Sequence, residues 1–133
     1  MNMLGATPWG SLCAIGCGAT LGAWLRWGLS ERFNATLSWM PLGTWLASAI
    51  GGLLIGLALG YFEHHPGLNV AWRLFLITGF LGALTTFSTF SAEVTTRLLN
   101  GALLQGLMIA CAHLAASLLM TALGLWLMGA LRT

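Results

Sequence analysis

The sequence predicts an all-α membrane protein with four transmembrane helices, the third broken near its middle. Three observations carry that reading: the hydropathy, the spacing of the charges, and one segment built of hydroxyls and phenylalanines. Of the 133 residues, 58% are hydrophobic and 6% are charged, whereas a soluble domain carries about 25% charged residues. The mean hydropathy is +0.87. A soluble fold of this composition would lack the polar surface needed to face water.

The charges mark out the spans. Residues 1–25, 33–62, 74–92 and 98–131 contain no Asp, Glu, Lys or Arg. A helix needs about 20 apolar residues to cross a bilayer. Three of these gaps clear that length, and the fourth, 74–92, clears it once Trp72 and Arg73 sit at the interface. The spans are therefore expected at about 9–29, 42–62, 72–97 and 102–130, which treats 1–133 as a single four-span domain. Residues 1–10 hold no Lys or Arg, so the first span lacks the basic region of a cleaved leader. The longest polar connection, 30–41, is too short for an extramembrane domain.

The net charge of +2 comes from five Arg, no Lys and three acids. No basic cluster exists, which argues against nucleic acid as a partner. Cys13, Cys17 and Cys111 lie in apolar spans without CxxC spacing and read as small buried hydrophobes. His64 and His65 fall beside Glu63 and Pro66 in a connection and read as solvated. With no Ser/His/acid set or metal-ligand cluster visible, the chain does not read as an enzyme.

Orientation in a membrane follows Lys and Arg in the short loops. With a cytoplasmic N-terminus, Arg73 and Arg132 fall inside, while Arg32 and Arg97 fall outside, joined by Arg26 if it is counted. The bias is near zero, so the chain is expected to insert both ways and form an antiparallel, dual-topology pair. Gly18 and Gly22, and then Gly52, Gly56 and Gly60, recur at steps of four. That spacing lets helix backbones approach closely in lipid, within one chain or across a dimer seam.

The third span differs from the others. Five of the seven residues at 85–91 are hydroxylic, and the other two are Phe87 and Phe90. Ser and Thr are mediocre helix formers, and Gly79 and Gly82 weaken the helix just ahead of them. Broken backbone at membrane depth survives only where it is buried in protein or lines a cavity. Freed carbonyls suit cations and freed N–H groups suit anions, so the break predicts an ion site. Phe87 and Phe90 share a helix face, as core aromatics do. Their ring edges are positive and can also meet an anion. His113, Ser117 and Thr121 recur at steps of four in the last span. Their hydroxyls either bond their own helix or face Ser88 and Thr89 as a polar track. Glu93 and Arg26 are the ionisable residues set nearest the hydrocarbon, where such groups are paired or functional.

The run from Gly82 to Glu93, G-A-L-T-T-F-S-T-F-S-A-E, resembles the signature of the CrcB/Fluc fluoride channel family. The Gly-rich stretch from Gly16 to Trp27, the 41–44 stretch P-L-G-T and the pattern from Ser117 to Gly124 are similar to other parts of that family. The resemblance covers essentially the whole chain. It implies an antiparallel homodimer in the bacterial inner membrane, with two pathways that export toxic fluoride passively. It implies that Phe87, Phe90, Ser88, Thr89, Ser117, Thr121 and Ser48 line the fluoride pathway, with Arg26 at a vestibule. It further implies a structural sodium ion at the dimer centre, held by backbone carbonyls of Gly82 and Thr85 from both copies. Two departures stand out: Ser48 where the family carries Asn, and Ala83 where Gly is common. Asn offers two N–H donors and Ser one O–H, so Ser48 is expected to alter throughput.

Two other classes compete. A four-span, proton-coupled multidrug exporter would need an embedded acid, and Glu93 is the one candidate. A purely structural membrane protein would share the glycine pattern but leave the hydroxyl-and-Phe segment without a purpose.

Overall fold

The computed structural model describes residues 7–131. Arg132, used in the orientation count, lies outside them. The described residues form four helices and no strand: α1 (Pro8–Phe33), α2 (Leu42–His64), α3 (Val70–Leu99, interrupted) and α4 (Leu103–Ala130).

Local chemistry sets the ends. At the start of α1, Thr7 accepts a hydrogen bond from the Gly10 N–H at 3.1 Å and Pro8 follows, a position where proline loses nothing by lacking an N–H. At the start of α3, the Asn69 side chain caps the Ala71 N–H at 2.9 Å. Gly101 separates α3 from α4 with φ of +76°, left-handed backbone that glycine adopts without a steric cost.

α3 is not uniform. It opens with an α-helical turn (Val70–Arg73), widens into a π-helical stretch (Leu74–Leu81) and closes its first arm with Gly82–Leu84. Thr85 (φ −96°, ψ 120°) and Thr86 (φ −127°, ψ 109°) are extended, and the second arm runs Phe87–Leu99. The break expected from the sequence is present. It falls three residues beyond Gly82, on the two threonines, and Gly79 stays helical because its face packs on α1.

α2 and α4 form the most extensive helix pair, and α1 with the first arm of α3 forms the next. At the first crossing, a Cβ on Gly124 would sit 2.8 Å from the Leu57 nitrogen, and one on Gly56 would sit 3.0 Å from the Gly124 Cα. At the second, a Cβ on Gly79 would lie 3.0 Å from the Ala19 nitrogen and 3.1 Å from the Gly18 Cα. The GxxxG faces are therefore spent within the chain rather than left for a seam. Such faces let the backbones themselves touch.

The interior is made of small residues, with Ala47, Ala49 and Ala58 buried beside Leu81, Leu84 and Ile109. Large apolar side chains, among them Trp9, Trp24, Leu104, Leu118 and Trp126, point outward. This arrangement suits an apolar solvent. α2, α3 and α4 are each long and apolar enough to cross a membrane. α1 is long enough at 26 residues, but its Gly, Ser and Thr dilute it, and it is not among those three.

Gly56→Ala is expected to cost about 1–3 kcal/mol through overpacking. Gly28→Ala, where a Cβ meets nothing within 4 Å, is expected to be neutral or stabilising by up to about 1 kcal/mol. Thermal denaturation of the purified protein in detergent measures both.

Candidate functional site

The break in α3 creates the site. Leu84, fully buried, anchors the end of the first arm. Thr85 turns back on that arm: its N–H and its hydroxyl both donate to the Leu81 carbonyl, at 3.0 and 2.8 Å. Arg26 reaches across from α1, its Nε donating to the Ala83 carbonyl at 3.2 Å. The second arm then begins at Phe87 with no side chain capping it. First-turn N–H groups have no intrahelical acceptor and carry the positive end of the helix dipole.

Beside this bare helix start lies a recess of about 270 Å³ lined by Ser48, Thr85, Thr86, Phe87, Phe90, His113, Leu114 and Ser117. Phe87 is 75% exposed, with its ring centroid 5.3 Å from that of Phe90. Phe90 packs in turn on the His113 ring, also at 5.3 Å. Ser48 donates its hydroxyl to the Thr44 carbonyl at 3.1 Å, which leaves only acceptor capacity facing the recess.

A second recess, of about 260 Å³, contains Gly51, Gly52, Gly82, Thr85 and Ser117 among its lining. Thr85 and Ser117 line both. Of the residues expected on an ion pathway, Ser48, Phe87, Phe90 and Ser117 thus share one recess. Ser88 and Thr89 do not join them. With Phe87 and Phe90 lining the recess, the 100° step of a helix turns the two intervening residues away from it, and Ser88 is exposed. Ser117 therefore faces Ser48 and the Thr85–Thr86 pair, not Ser88 or Thr89. Thr121 bonds its own helix, donating to the Ser117 carbonyl at 2.8 Å. Arg26 and Gly82 lie outside the Phe-lined recess, at the break itself. Among the described residues, no group of three or more His, Cys, Asp or Glu is placed to hold a metal.

Two arrangements were not legible in the sequence. Glu93 is held by α2: its Oε1 accepts the Thr44 hydroxyl at 2.7 Å, while Asn34 Oδ1 accepts the Thr44 N–H at 3.1 Å. Its Oε2 is buried without a partner. His113 is 3% exposed, and neither ring nitrogen has a partner. The polar stripe on the last span pointed toward His113, but nothing in the spacing revealed that it would be buried.

The chain matches, over residues 13–125, the family described as CrcB-like protein, Camphor Resistance (CrcB). The chain belongs to the CrcB family. Relatives named fluoride-specific ion channel FluC are similar along most of their length. The one from Cupriavidus pinatubonensis is 56% identical over 85% of this chain and 90% of its own. That from Thiobacillus denitrificans is 57% identical over 85% and 91%. That from Pseudomonas putida is 56% identical over 86% and 91%. The family is thus one of ion channels rather than enzymes, and the matched residues include the α3 break and both recesses.

Thr44 is 3% exposed, so Thr44→Val would leave the Glu93 carboxyl buried with neither oxygen bonded. The variant is expected to lose about 1.5–3 kcal/mol, the range for hydrogen bonds to charged groups, with Thr44→Ser recovering most of it. Thermal unfolding in detergent reads the difference.

Proposed function

We propose that this protein is a fluoride channel that carries the ion passively out of the cell across the bacterial inner membrane. The observation that carries the reading is the recess itself. Two phenylalanines, one hydroxyl-lined wall and an uncapped helix start converge in a chain whose relatives are named fluoride-specific channels. Fluoride is small and strongly hydrated, so a pathway must replace its water with donors. Uncapped N–H groups at a helix start supply such donors, and aromatic ring edges add positive potential.

In this reading Phe87, Phe90, Ser48 and Ser117 line the pathway, with Ser88, Thr89 and Thr121 on adjoining turns and Arg26 near its mouth. α1 serves as the fourth span. Two copies in opposite orientations form a homodimer with two pathways, which is consistent with the balanced arginine count and with Phe87 left so open in a single chain. A sodium ion at the dimer centre fits the donor set. Thr85 is extended, which takes the Thr86 N–H away from the Gly82 carbonyl it would bond in a helix. The Gly82 and Thr85 carbonyls are hard oxygen ligands of the kind such cations take, and two copies double their number. A bound cation would supply positive charge that offsets the cost of an anion in a low-dielectric interior. The proton-coupled exporter gains no support from Glu93, whose carboxylate is engaged by Thr44.

Purified protein in liposomes is expected to release fluoride and not chloride, without a proton gradient, as read by an ion-selective electrode. Silence toward fluoride overturns the channel reading. Ser48→Asn is expected to change the rate by several-fold while leaving the protein's size in detergent unaltered. An unchanged rate would mean that position 48 does not limit throughput.

A further inference from the structure

The end of the molecule where α2 turns into α3 carries a feature that ion passage leaves unused. Tyr61, Phe62, Trp72 and Phe75 line a recess of about 360 Å³ there. Leu54, Leu57 and Met128 line another, of about 300 Å³. Tyr61 and Leu76 belong to both, so the two form one apolar groove. Leu54 lies ten residues before the end of α2 at His64, a depth of about 15 Å at the rise of a helix. Half of a hydrocarbon core is also about 15 Å thick, so the groove has the length of one acyl chain.

This groove turns away from the break. The recess beside Gly82 and Thr85 takes Ile55 and Ile77, whereas the groove takes Leu54 and Leu76. One residue turns an α-helix by about 100°, so the two lie on different sides of the α2 and α3 pair. A second copy docked at the break leaves the groove to the bilayer.

Its polar end selects among lipids. Tyr61 and Trp72 are 44% and 64% exposed at the mouth, and these residue types mark a membrane–water interface. Glu63 follows Phe62 and Arg73 follows Trp72, both are exposed, and neither is paired among the described residues. A guanidinium matches a phosphate, and a carboxylate accepts hydrogen bonds from an ammonium. One cation and one anion at the mouth are the complement of a zwitterion. We infer that the groove holds one acyl chain of a phospholipid of the phosphatidylethanolamine type, with its phosphate on Arg73 and its primary ammonium on Glu63. Phosphatidylglycerol brings a phosphate but no ammonium, and so sets an anion beside Glu63 without relief. Phosphatidylcholine brings an ammonium that has no N–H to donate.

Native mass spectrometry of the purified protein tests this, with the three phospholipids added in turn and carrying the same acyl chains. Phosphatidylethanolamine is expected to saturate the protein at the lowest lipid concentration. Arg73→Gln should weaken its retention about fivefold, the effect of one basic side chain at a lipid surface. Glu63→Gln should bring phosphatidylethanolamine to the level of phosphatidylcholine. Glu31→Gln, an exposed acid near the other end of α1, should change nothing. Leu57→Trp, which fills the groove, should lower the retention of all three lipids; if it does not purify, Leu54→Phe is judged by the same criterion. The inference is overturned if phosphatidylethanolamine is held no better than the other two, if Arg73→Gln holds it as wild type does, or if the filled groove retains it unchanged. It is equally overturned if a cysteine replacing Leu68 at the mouth cross-links two copies in full yield, since a second copy then occupies the groove. None of these readouts involves fluoride, so their failure leaves the channel reading in place.

Discussion

A backbone surrounded by hydrocarbon must satisfy its own hydrogen bonds, and two consecutive extended residues in the middle of α3 violate that requirement unless other groups cover them. Most of this molecule can be understood as cover for Thr85 and Thr86. The Thr85 hydroxyl bonds back to Leu81, and Arg26 comes across from α1 to the Ala83 carbonyl. Leu84 is driven into the interior beside the break. What these contacts leave open, chiefly the start of the second arm, opens onto a recess rather than onto lipid. The site exists because covering one face of the break leaves the other available.

That cover depends on how tightly the helices pack. Hydrophobic burial does not drive helices together in lipid, so van der Waals contact and hydrogen bonds must hold them. Here Gly52, Gly56 and Gly60 of α2 face α4, and Gly18 and Gly22 of α1 face the first arm of α3, so the backbones meet with almost nothing between them. Bulky side chains are displaced outward, which explains how a chain so rich in Leu and Trp can have an interior of Ala and Gly. The few polar groups that remain inside are correspondingly exposed to judgement: Thr44 and Glu93 answer each other across two helices, whereas His113 answers to nothing in the protein.

The helices were legible in the sequence because charge gaps and apolar length follow directly from the cost of burying ions. The helix starts at Leu42 and Leu103 lie at or beside the starts expected at 42 and 102. The break was legible as an event but not as a position. Glycine lowers helix propensity, yet Gly79 stays helical because contact with α1 repays what propensity costs, Gly82 continues the same arm, and the threonines yield instead. The π-helical widening from Leu74 to Leu81 left no mark in composition. For the site, periodicity paired Phe87 with Phe90 and set Ser117 on the facing helix. It could not show that the turn at Thr86 would rotate Ser88 outward, because a helix phase is only defined once its first residue is known. Nor could it show that Thr44 would meet Glu93, a contact between residues 49 positions apart.

The glycine crossings also divide the molecule into pieces. With no flexible side chains between them, α2 and α4 behave as one stiff unit, and α1 with the first arm of α3 as another. The second arm leans on α4, so it travels with the first unit. The chain passes between these two units in the interior at a single place, the pair Thr85 and Thr86, which no helical ladder stiffens. That pair is therefore a mechanical joint, and any rocking of one unit against the other shifts the end of the first arm, Leu84 and Thr85, against the wall carrying Ser48 and Ser117. The edge that Thr85 gives to both recesses and the angle of the joint are one variable.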